Sequence, residues 1–279
     1  MQTILVPVDF STTAYNAALY ALELGKQLQV KKVILYHSYE LPVVSDGGLA
    51  VPLLVGVDDI KKTSTEALDA LLVSLKSSIE YVPFEIETYQ TYNSPVKGIV
   101  EAAIEKQANL IVMGITGGNA IEQALIGSNT IDVSKEVKIP LIIVPPQATF
   151  KPIRNTVLAC SMNNIYDNMP IDHILNFIRN AKSNFQVLHV ETNEKMADYS
   201  GTNFESMALH TLFAEHVPKY HFVHNTNFIE GVNDFADKNS TDMVIVIPQK
   251  HGLFESLFTK SHTKQLAFHS HVPIMVVHD

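Results

Sequence analysis

The sequence contains the same pattern of segments twice, and this internal repeat is the strongest constraint on the fold. Residues 98–113 align without a gap with residues 231–246. The two halves also open alike, with TILVPVD at residue 3 and TVLACSM at residue 156, and they close in the similar runs KIPLIIV and HVPIMVV. A repeat of this length predicts two tandem domains and argues against a solenoid of short repeats.

Each half alternates short apolar runs with helical segments. In the first half the predicted strands are residues 4–8, 33–37, 84–89, 110–113 and 141–144, and the predicted helices include residues 13–29, 60–78 and 95–107. The strands are continuous runs of Val, Ile and Leu, which is typical of strands buried on both faces. This alternation predicts an α/β fold of two tandem, doubly wound, five-stranded parallel sheets.

The domain boundaries are predicted at residues 1–146 and 152–279, because the segment between them is rich in proline and suits a connector. Residues 41–59 form an apolar loop that the second half shortens. This loop fits either a mobile cover over a pocket or a plain surface insertion. The last strand of each half is an apolar sheet edge, and pairing these two edges inside one chain would cover both. That pairing would make the chain an intramolecular pseudo-dimer. The sequence is also compatible with a homodimer of the whole chain.

Charge and composition exclude several classes of protein. The formal net charge is −9 without a Lys/Arg stripe, which argues against a nucleic-acid surface. No apolar run approaches the roughly 20 residues of a membrane helix, and no signal peptide is visible, so we expect a cytoplasmic protein that does not contact membranes. The single cysteine, Cys160, excludes an internal disulfide and a cysteine-built metal site.

A glycine motif follows the fourth predicted strand. Gly114 and Gly117 are separated by two residues, and after nine more residues the pair Gly127-Ser128 precedes a predicted helix. Glycines let backbone amides approach an anion closely, and a helix N-terminus adds free N–H groups and a positive dipole end. Two ordinary loops would show similar spacing, but the order of strand, glycine loop and helix favours a phosphate-binding site.

Together with ILVPVDFS at residues 4–11 and IPLIIV at residues 139–144, this motif resembles the universal stress protein family in its tandem form. The resemblance covers nearly the whole chain and is sharper over residues 1–146. The glycine spacing is similar to that of the ATP-binding members of the family. The resemblance implies a Rossmann-like fold of the adenine nucleotide alpha hydrolase type, with ATP at the carboxyl ends of the strands.

The resemblance also implies roles for individual residues of the first half. Pro7 and Val8 would line the base pocket, Asp9 would accept hydrogen bonds from the ribose or the adenine edge, and the backbone of Ser38 would read the adenine. The residues implied to lie near the sugar and the phosphates are Met113, Gly114, Gly117, Gly127, Ser128, Asn129 and Thr130. Asp9 and Ser128 could instead cap helices, and both roles can coexist. Asn109 stands at a position, before the fourth strand, where members of the family often have aspartate. The aligned residue of the second half is an aspartate, Asp242.

The phosphates would share a bridging Mg²⁺ or Mn²⁺. No side chain is predicted as a metal ligand, and none as a catalytic group.

The second half has lost this motif. Met162, Ile247, Lys250 and Lys260 stand where the first half has Asp9 and the three glycines. The second half is therefore predicted to be a degenerate partner, or a site with different specificity. It also holds eleven of the twelve histidines, which are interpreted mainly as solvated or core residues because no metal-binding spacing is present. His269 and His271 could place two imidazoles on one side of a strand, and they are the pair to test for zinc binding.

Three functions follow as hypotheses. The first is a regulator of the stress response that binds ATP in its N-terminal domain with little or no turnover. The second is a slow ATPase, for which the sequence offers neither a Walker A loop nor a base paired with a nucleophile. The third is an interaction scaffold that needs no nucleotide, against which the intact glycine set argues.

Overall fold

The computed structural model describes residues 2–41, 43–46, 49–52, 56–115, 128–159, 169–192, 213, 216–247 and 272–278, with the backbone alone for residues 43–46, 49–52 and 128. The first half contains β1 (Thr3–Pro7), α1 (Thr12–Leu28), β2 (Lys32–Tyr39), β3 (Val43–Asp46), β4 (Leu49–Pro52), α2 (Val57–Ser78), β5 (Glu85–Tyr92), α3 (Pro95–Glu105), β6 (Leu110–Gly114), α4 (Ser128–Glu136) and β7 (Leu141–Val144). The second half contains β8 (Asn155–Ala159), α5 (Ile171–Ala181), β9 (Asn184–Glu191), β10 (Lys219–His224), α6 (Phe228–Lys238), β11 (Met243–Val246) and β12 (Ile274–Val276).

A ten-stranded sheet runs through both halves in the order β10-β9-β8-β11-β12-β7-β6-β1-β2-β5. Within each half the neighbouring strands are parallel, and the order in one half repeats the order in the other. The halves join where β7 and β12 pair antiparallel, with Ile142 opposite Met275. The predicted fold class and the predicted pairing of the two terminal strands are confirmed.

The sheet carries an apolar core on each face. One core packs β-strand side chains such as Ile4 against α1, α2 and α5, and the other packs side chains such as Leu5 against α3, α4 and α6. Every residue of β6 and β7 is buried. The continuous apolar runs read from the sequence therefore arise because both faces of these strands are covered.

The segment between β2 and α2 differs from the predicted loop. It contains the antiparallel hairpin β3–β4, in which Val44 pairs with Val51. Helix α2 begins at Val57, three residues before the predicted start, and Asp58 and Asp59 lie in its first turn. Carboxylates at that place interact favourably with the positive end of the helix dipole, which explains the longer helix.

In each half, one side-chain oxygen accepts hydrogen bonds from two backbone N–H groups at the start of the first strand. In the first half, Asn109 Oδ1 accepts the backbone N–H groups of Gln2 and Thr3 at 2.9 and 3.1 Å. In the second half, Asp242 Oδ2 accepts those of Arg154 and Asn155 at 2.8 and 2.9 Å. Asn109 therefore replaces an aspartate without loss of this structural role.

Helix α1 is hydrogen-bonded to the connector between the halves, that is, to residues 145–154, which separate β7 from β8. The side-chain amide of Gln27 accepts the N–H of Ile153 at 2.9 Å and donates to the carbonyls of Ile153 and Ala181 at 2.8 and 2.9 Å. Asn16 Nδ2 donates to the carbonyl of Ala148 at 2.9 Å. These bonds tie both halves to one helix, while the domain boundaries at residues 1–146 and 152–279 stay a prediction. In the part of the chain that the structure describes, no helix combines the length and apolar character needed to cross a bilayer.

Candidate functional site

A cleft opens where the strands β1, β2 and β6 end and the helices α3 and α4 begin. Its described lining comprises Pro7, Val8, Asp9, Ala14, Tyr36, His37, Ser38, Pro95, Ile99, Met113, Gly114, Asn129 and Thr130. The cavity among these residues has a volume of about 110 Å³. That volume is below the 300–1,000 Å³ typical of ligand pockets.

Eight of the eleven predicted site residues line this cleft: Pro7, Val8, Asp9, Ser38, Met113, Gly114, Asn129 and Thr130. Ser128 is the first residue of α4, and its side chain is not described. Gly117 and Gly127 lie outside the described residues. Residues that are distant in the sequence are thus brought to one edge of the sheet, the edge where an open parallel sheet binds ligands.

Asp9 lies two residues beyond Pro7, the last residue of β1. Its Oδ1 accepts the backbone N–H of Ser11 at 3.1 Å and the Ser11 hydroxyl at 2.5 Å. The N-cap of α1 is Ser11, whose Oγ accepts the N–H of Ala14 at 3.2 Å. Asp9 therefore orients the capping residue and does not cap the helix itself. Its Oδ2 has no hydrogen-bond donor among the described residues and remains available to a ligand.

His37 is a lining residue that the sequence reasoning missed. Its Nδ1 lies 2.7 Å from the carbonyl oxygen of Val8 and donates to it, because a carbonyl can only accept. This bond fixes Nδ1 as the protonated nitrogen. Phe10, which has a left-handed φ of 62°, packs against the imidazole with ring centroids 4.5 Å apart. The signal available in the sequence was the histidine at the end of an apolar strand.

Tyr36 forms the inner wall of the cleft and was also missed. It is buried, and its hydroxyl lies 2.6 Å from Thr91 Oγ1. Burial raises the pKa of this hydroxyl, so it stays protonated at neutral pH. A Cβ at Gly98 of α3 would collide with the Tyr36 hydroxyl and crowd Ser38. The glycine at position 98 therefore lets α3 approach the wall of the cleft.

Gly114 and Thr130 connect β6 to the helices around it. Thr130 is buried, and its hydroxyl lies at the limit of hydrogen-bond distance, 3.5 Å, from the carbonyl of Gly114. A Cβ at Gly114 would lie 2.5 Å from the backbone oxygen of Thr13 in α1. Gly114 thus has a packing role in addition to its place in the cleft.

The chemistry available in the cleft is that of an anion site beside a carboxylate. The helices α3 and α4 begin at the cleft, and their first turns carry backbone N–H groups that have no partner within the helix, together with the positive ends of the helix dipoles. Asp9 adds a hydrogen-bond acceptor at the mouth. The described residues contain no group of three or more His, Cys, Asp or Glu side chains that could bind a metal ion.

The corresponding place in the second half is described only at Ile247, a half-buried residue directly after β11 that aligns with Gly114. Met162, Lys250, Lys260, His269 and His271 lie outside the described residues. The predicted loss of the second site and the predicted histidine pair therefore stay predictions.

The model of the universal stress protein family matches residues 1–145. The chain belongs to the universal stress protein family. The repeat and the matching strand order of the two halves extend the same architecture to the rest of the chain.

Two relatives of this universal stress protein come from Methanocaldococcus jannaschii. The chain is 28% identical over 152 residues to universal stress protein MJ0577, and the alignment covers 50% of this chain and 93% of the relative. The chain is 29% identical over 141 residues to universal stress protein MJ0531, and that alignment covers 50% of this chain and 80% of the relative.

Two solved structures match this universal stress protein over its whole length. A universal stress protein from Archaeoglobus fulgidus aligns with a TM-score of 0.69 at 16% identity, covering 99% of this chain and 98% of that one. A putative universal stress protein from Pseudomonas aeruginosa aligns with a TM-score of 0.62 at 14% identity, covering 100% and 93%. At these identities the likeness shows the fold, and it shows it for both halves together.

Proposed function

We propose that this protein binds ATP in the cleft of its first half and acts as a nucleotide-dependent regulator of the stress response with little or no turnover. The observation that carries the proposal is the convergence of eight predicted residues, from β1, β2, β6 and α4 and the turns that follow the strands, on one cleft. These residues come from four separate stretches of the chain, and the ATP site implied by the family resemblance uses all of them.

The parts of the cleft match the parts of ATP. Apolar and backbone groups of Pro7, Val8 and Ser38 suit a base, and Asp9 Oδ2 suits the hydroxyls of a ribose. Asn129 and Thr130, in the first turn of α4, suit phosphate oxygens because of the free amides there. A bridging Mg²⁺ or Mn²⁺ would then be held mainly by the phosphates and water.

The second half completes the molecule as a partner of the first. Antiparallel pairing of β7 with β12 covers one edge of each five-stranded unit, which supports an intramolecular pseudo-dimer. We propose that this degenerate half persists for packing and for partner contacts, in a cytoplasmic protein that contains a single nucleotide site. Binding of one ATP per chain by calorimetry supports this arrangement, and binding of two contradicts it.

The sharpest test of the site is Asp9→Asn. An asparagine retains an oxygen that can accept from Ser11, so α1 keeps its cap, while the negative charge facing the ligand is lost. A weaker ribose contact should lower ATP affinity about tenfold or more, since hydrogen bonds to a charged group are worth about 1.5–3 kcal/mol. Calorimetric titration with ATP and Mg²⁺ measures the change.

Two comparisons complete this experiment. Asp242→Asn makes the same chemical change in the second half and should leave ATP affinity as it is. Unchanged ATP affinity in Asp9→Asn would contradict the site, and the absence of ATP binding by the unaltered protein would favour the scaffold function.

Turnover separates the regulator from the slow ATPase. Release of phosphate from bound ATP should be far slower than about 1 per second, the low end of typical enzyme rates. Multiple-turnover hydrolysis at or above that rate would make the protein an enzyme. Repeating the ATP titration with EDTA tests the bridging cation, whose removal should weaken binding.

A further inference from the structure

A second cleft lies at the junction of the two halves and shares no residue with the first. It has a volume of about 480 Å³ and is formed by Tyr20 of α1, by the connector, and by the residues that precede β11 and β12. The full lining is Tyr20, Gln147, Ala148, Thr149, Lys151, Ser240, Thr241, Asp242, Val272 and Pro273. This volume lies within the range of small-molecule sites.

Two hydroxyl groups lie at the floor of this junction cleft. Tyr20 is only 3% exposed and Thr241 only 6% exposed. Thr241 Oγ1 is buried and has no hydrogen-bond partner among the described residues. A buried hydroxyl without a partner costs about 1–3 kcal/mol. Rotation of the Thr241 side chain toward a polar occupant of the cleft would remove this cost.

Asp242 adds a carboxylate to the same floor. Its Oδ2 accepts two backbone N–H groups, whereas Oδ1 has no donor in the part of the chain that the structure describes. In the first half the neutral amide of Asn109 makes the same two bonds, so the structural role does not require a charge. Burial, and next the negative charge of Asp242, raise the pKa of Tyr20 well above its ordinary range.

The rim of the cleft has the opposite charge. Lys151 of the connector is exposed and lies among the lining residues with Gln147 and Thr149. The floor therefore offers oxygen acceptors on Tyr20, Thr241 and Asp242, and the rim offers an ammonium group. An ammonium ligand has three N–H donors, and a carboxylate is the natural partner of a lysine.

We propose that the junction cleft binds a small zwitterion of the amino-acid class, with its ammonium group on the floor and its carboxylate toward Lys151. This site is independent of the proposed ATP site. Because the cleft is built from α1, the connector and the second half, its occupant contacts both halves at once.

The experiment offers the protein L-amino acids one at a time at millimolar concentration and detects binding by saturation-transfer NMR. The strongest binder is then titrated by calorimetry. Asp242→Asn should weaken it about tenfold or more, because a charge-assisted bond to the ammonium group is lost. Tyr20→Phe keeps the ring and should also weaken binding, as should Lys151→Met at the rim.

Control measurements separate loss of the site from loss of folding. Asp242→Asn should fold, since Asn109 performs the same backbone contacts in the first half, and circular dichroism checks this. Asn109→Asp adds a carboxylate at the equivalent place and should leave amino-acid binding unchanged. Saturation of the protein with ATP should also leave it unchanged.

Three results overturn the proposal. They are the absence of binding by every L-amino acid, unchanged affinity in Asp242→Asn, and displacement of the amino acid by ATP, which would place it in the first cleft.

Discussion

Gly114 ends β6 at a point where the first turn of α1 passes close to the strand. A Cβ at this position would lie 2.5 Å from the carbonyl oxygen of Thr13 and 2.8 Å from its carbonyl carbon. Both are backbone atoms, which cannot rotate away as a flexible side chain can. The glycine is therefore required for the packing of α1 on β6, whether or not a nucleotide is bound.

Gly114→Ala should lower the free energy of unfolding by about 1–3 kcal/mol, the cost of forcing extra volume into a packed site. It should also weaken ATP binding, since Asp9 and Ser11 at the start of α1 would shift. Urea denaturation and calorimetry measure the two effects. Gly56→Ala is the control, because its Cβ would meet only the side chain of Asp59 at 3.3 Å. Equal stability of the two variants would contradict the packing role.

His221 of β10 should make the stability of the folded protein depend on pH. Its ring packs on Phe235 with centroids 4.7 Å apart, and its Nε2 is buried without a hydrogen-bond partner among the described residues. Burial, and next the positive charge of Lys219, lower the pKa of His221. The unfolded chain therefore binds a proton more readily than the folded chain does.

The free energy of unfolding should consequently fall as the pH drops below about 6.5, the ordinary pKa of histidine, and be unaffected by this group well above it. His221→Phe should make that fall smaller. Urea denaturation at several pH values measures the difference, with His224→Phe as the control because His224 is exposed on the same strand. An identical pH dependence of His221→Phe and the unaltered protein would rule out this contribution.

Among the elements, helix α1 begins in a network of side-chain hydrogen bonds. Ser11 caps it with a bond to the N–H of Ala14, Asp9 holds Ser11, and Thr13 Oγ1 lies 3.0 Å from Ser11 Oγ. This polar group stands at the mouth of the first cleft, so the same residues begin the helix and form the edge of the candidate ATP site.

Ser11→Ala removes the cap and should destabilise the protein by about 0.5–2 kcal/mol. It leaves Asp9 in the cleft, so ATP affinity should fall less than in Asp9→Asn. Thermal unfolding and calorimetry on the two variants separate helix capping from ligand contact. If Ser11→Ala abolished ATP binding while Asp9→Asn did not, the assigned roles would have to be exchanged.

For the whole molecule, the decisive feature is that the two halves share one sheet and one helix. The sheet is continuous through β7 and β12, and α1 reaches from the first cleft to the connector and α5. Tyr20 of the same helix packs edge-on against Phe150 of the connector, with ring centroids 5.3 Å apart. The halves are thus expected to unfold together.

Gln27→Ala tests this coupling. The change removes three hydrogen bonds to backbone groups of Ile153 and Ala181, and unpaired backbone groups cost about 1–3 kcal/mol each where they are buried. We expect the thermal transition to move to lower temperature and to broaden or split, as calorimetry would record. Lys26→Ala, which removes a partly exposed ion pair of the same helix, should change little. A single, unshifted transition in Gln27→Ala would contradict the coupling.

Much of the fold and part of the candidate site could be predicted from the sequence. Runs such as residues 110–113 are apolar because both faces of a central parallel strand are buried. Such a run can therefore be recognised from the sequence alone. Asp9 and Gly114 could be placed in the cleft because each belongs to a local pattern that follows an apolar strand, whereas Gly117 and Gly127 stay predictions. His37 carried only a weak signal, as a histidine in an otherwise apolar run, and Tyr36 carried none, because a buried tyrosine within a strand is equally typical of an ordinary core.

The sequence by itself determined that this chain is a repeated α/β protein, since strand and helix periodicity and the internal repeat are local properties of the chain. It also determined which half keeps the glycine motif. Only the tertiary structure decided the antiparallel register in which β7 and β12 pair. It alone also showed that Asp9 positions the cap of α1 without forming it, and that a second cleft lies at the junction. These features depend on contacts between residues far apart in the chain, such as Gln27 with Ile153 and Asp242 with Arg154, and no local pattern records them.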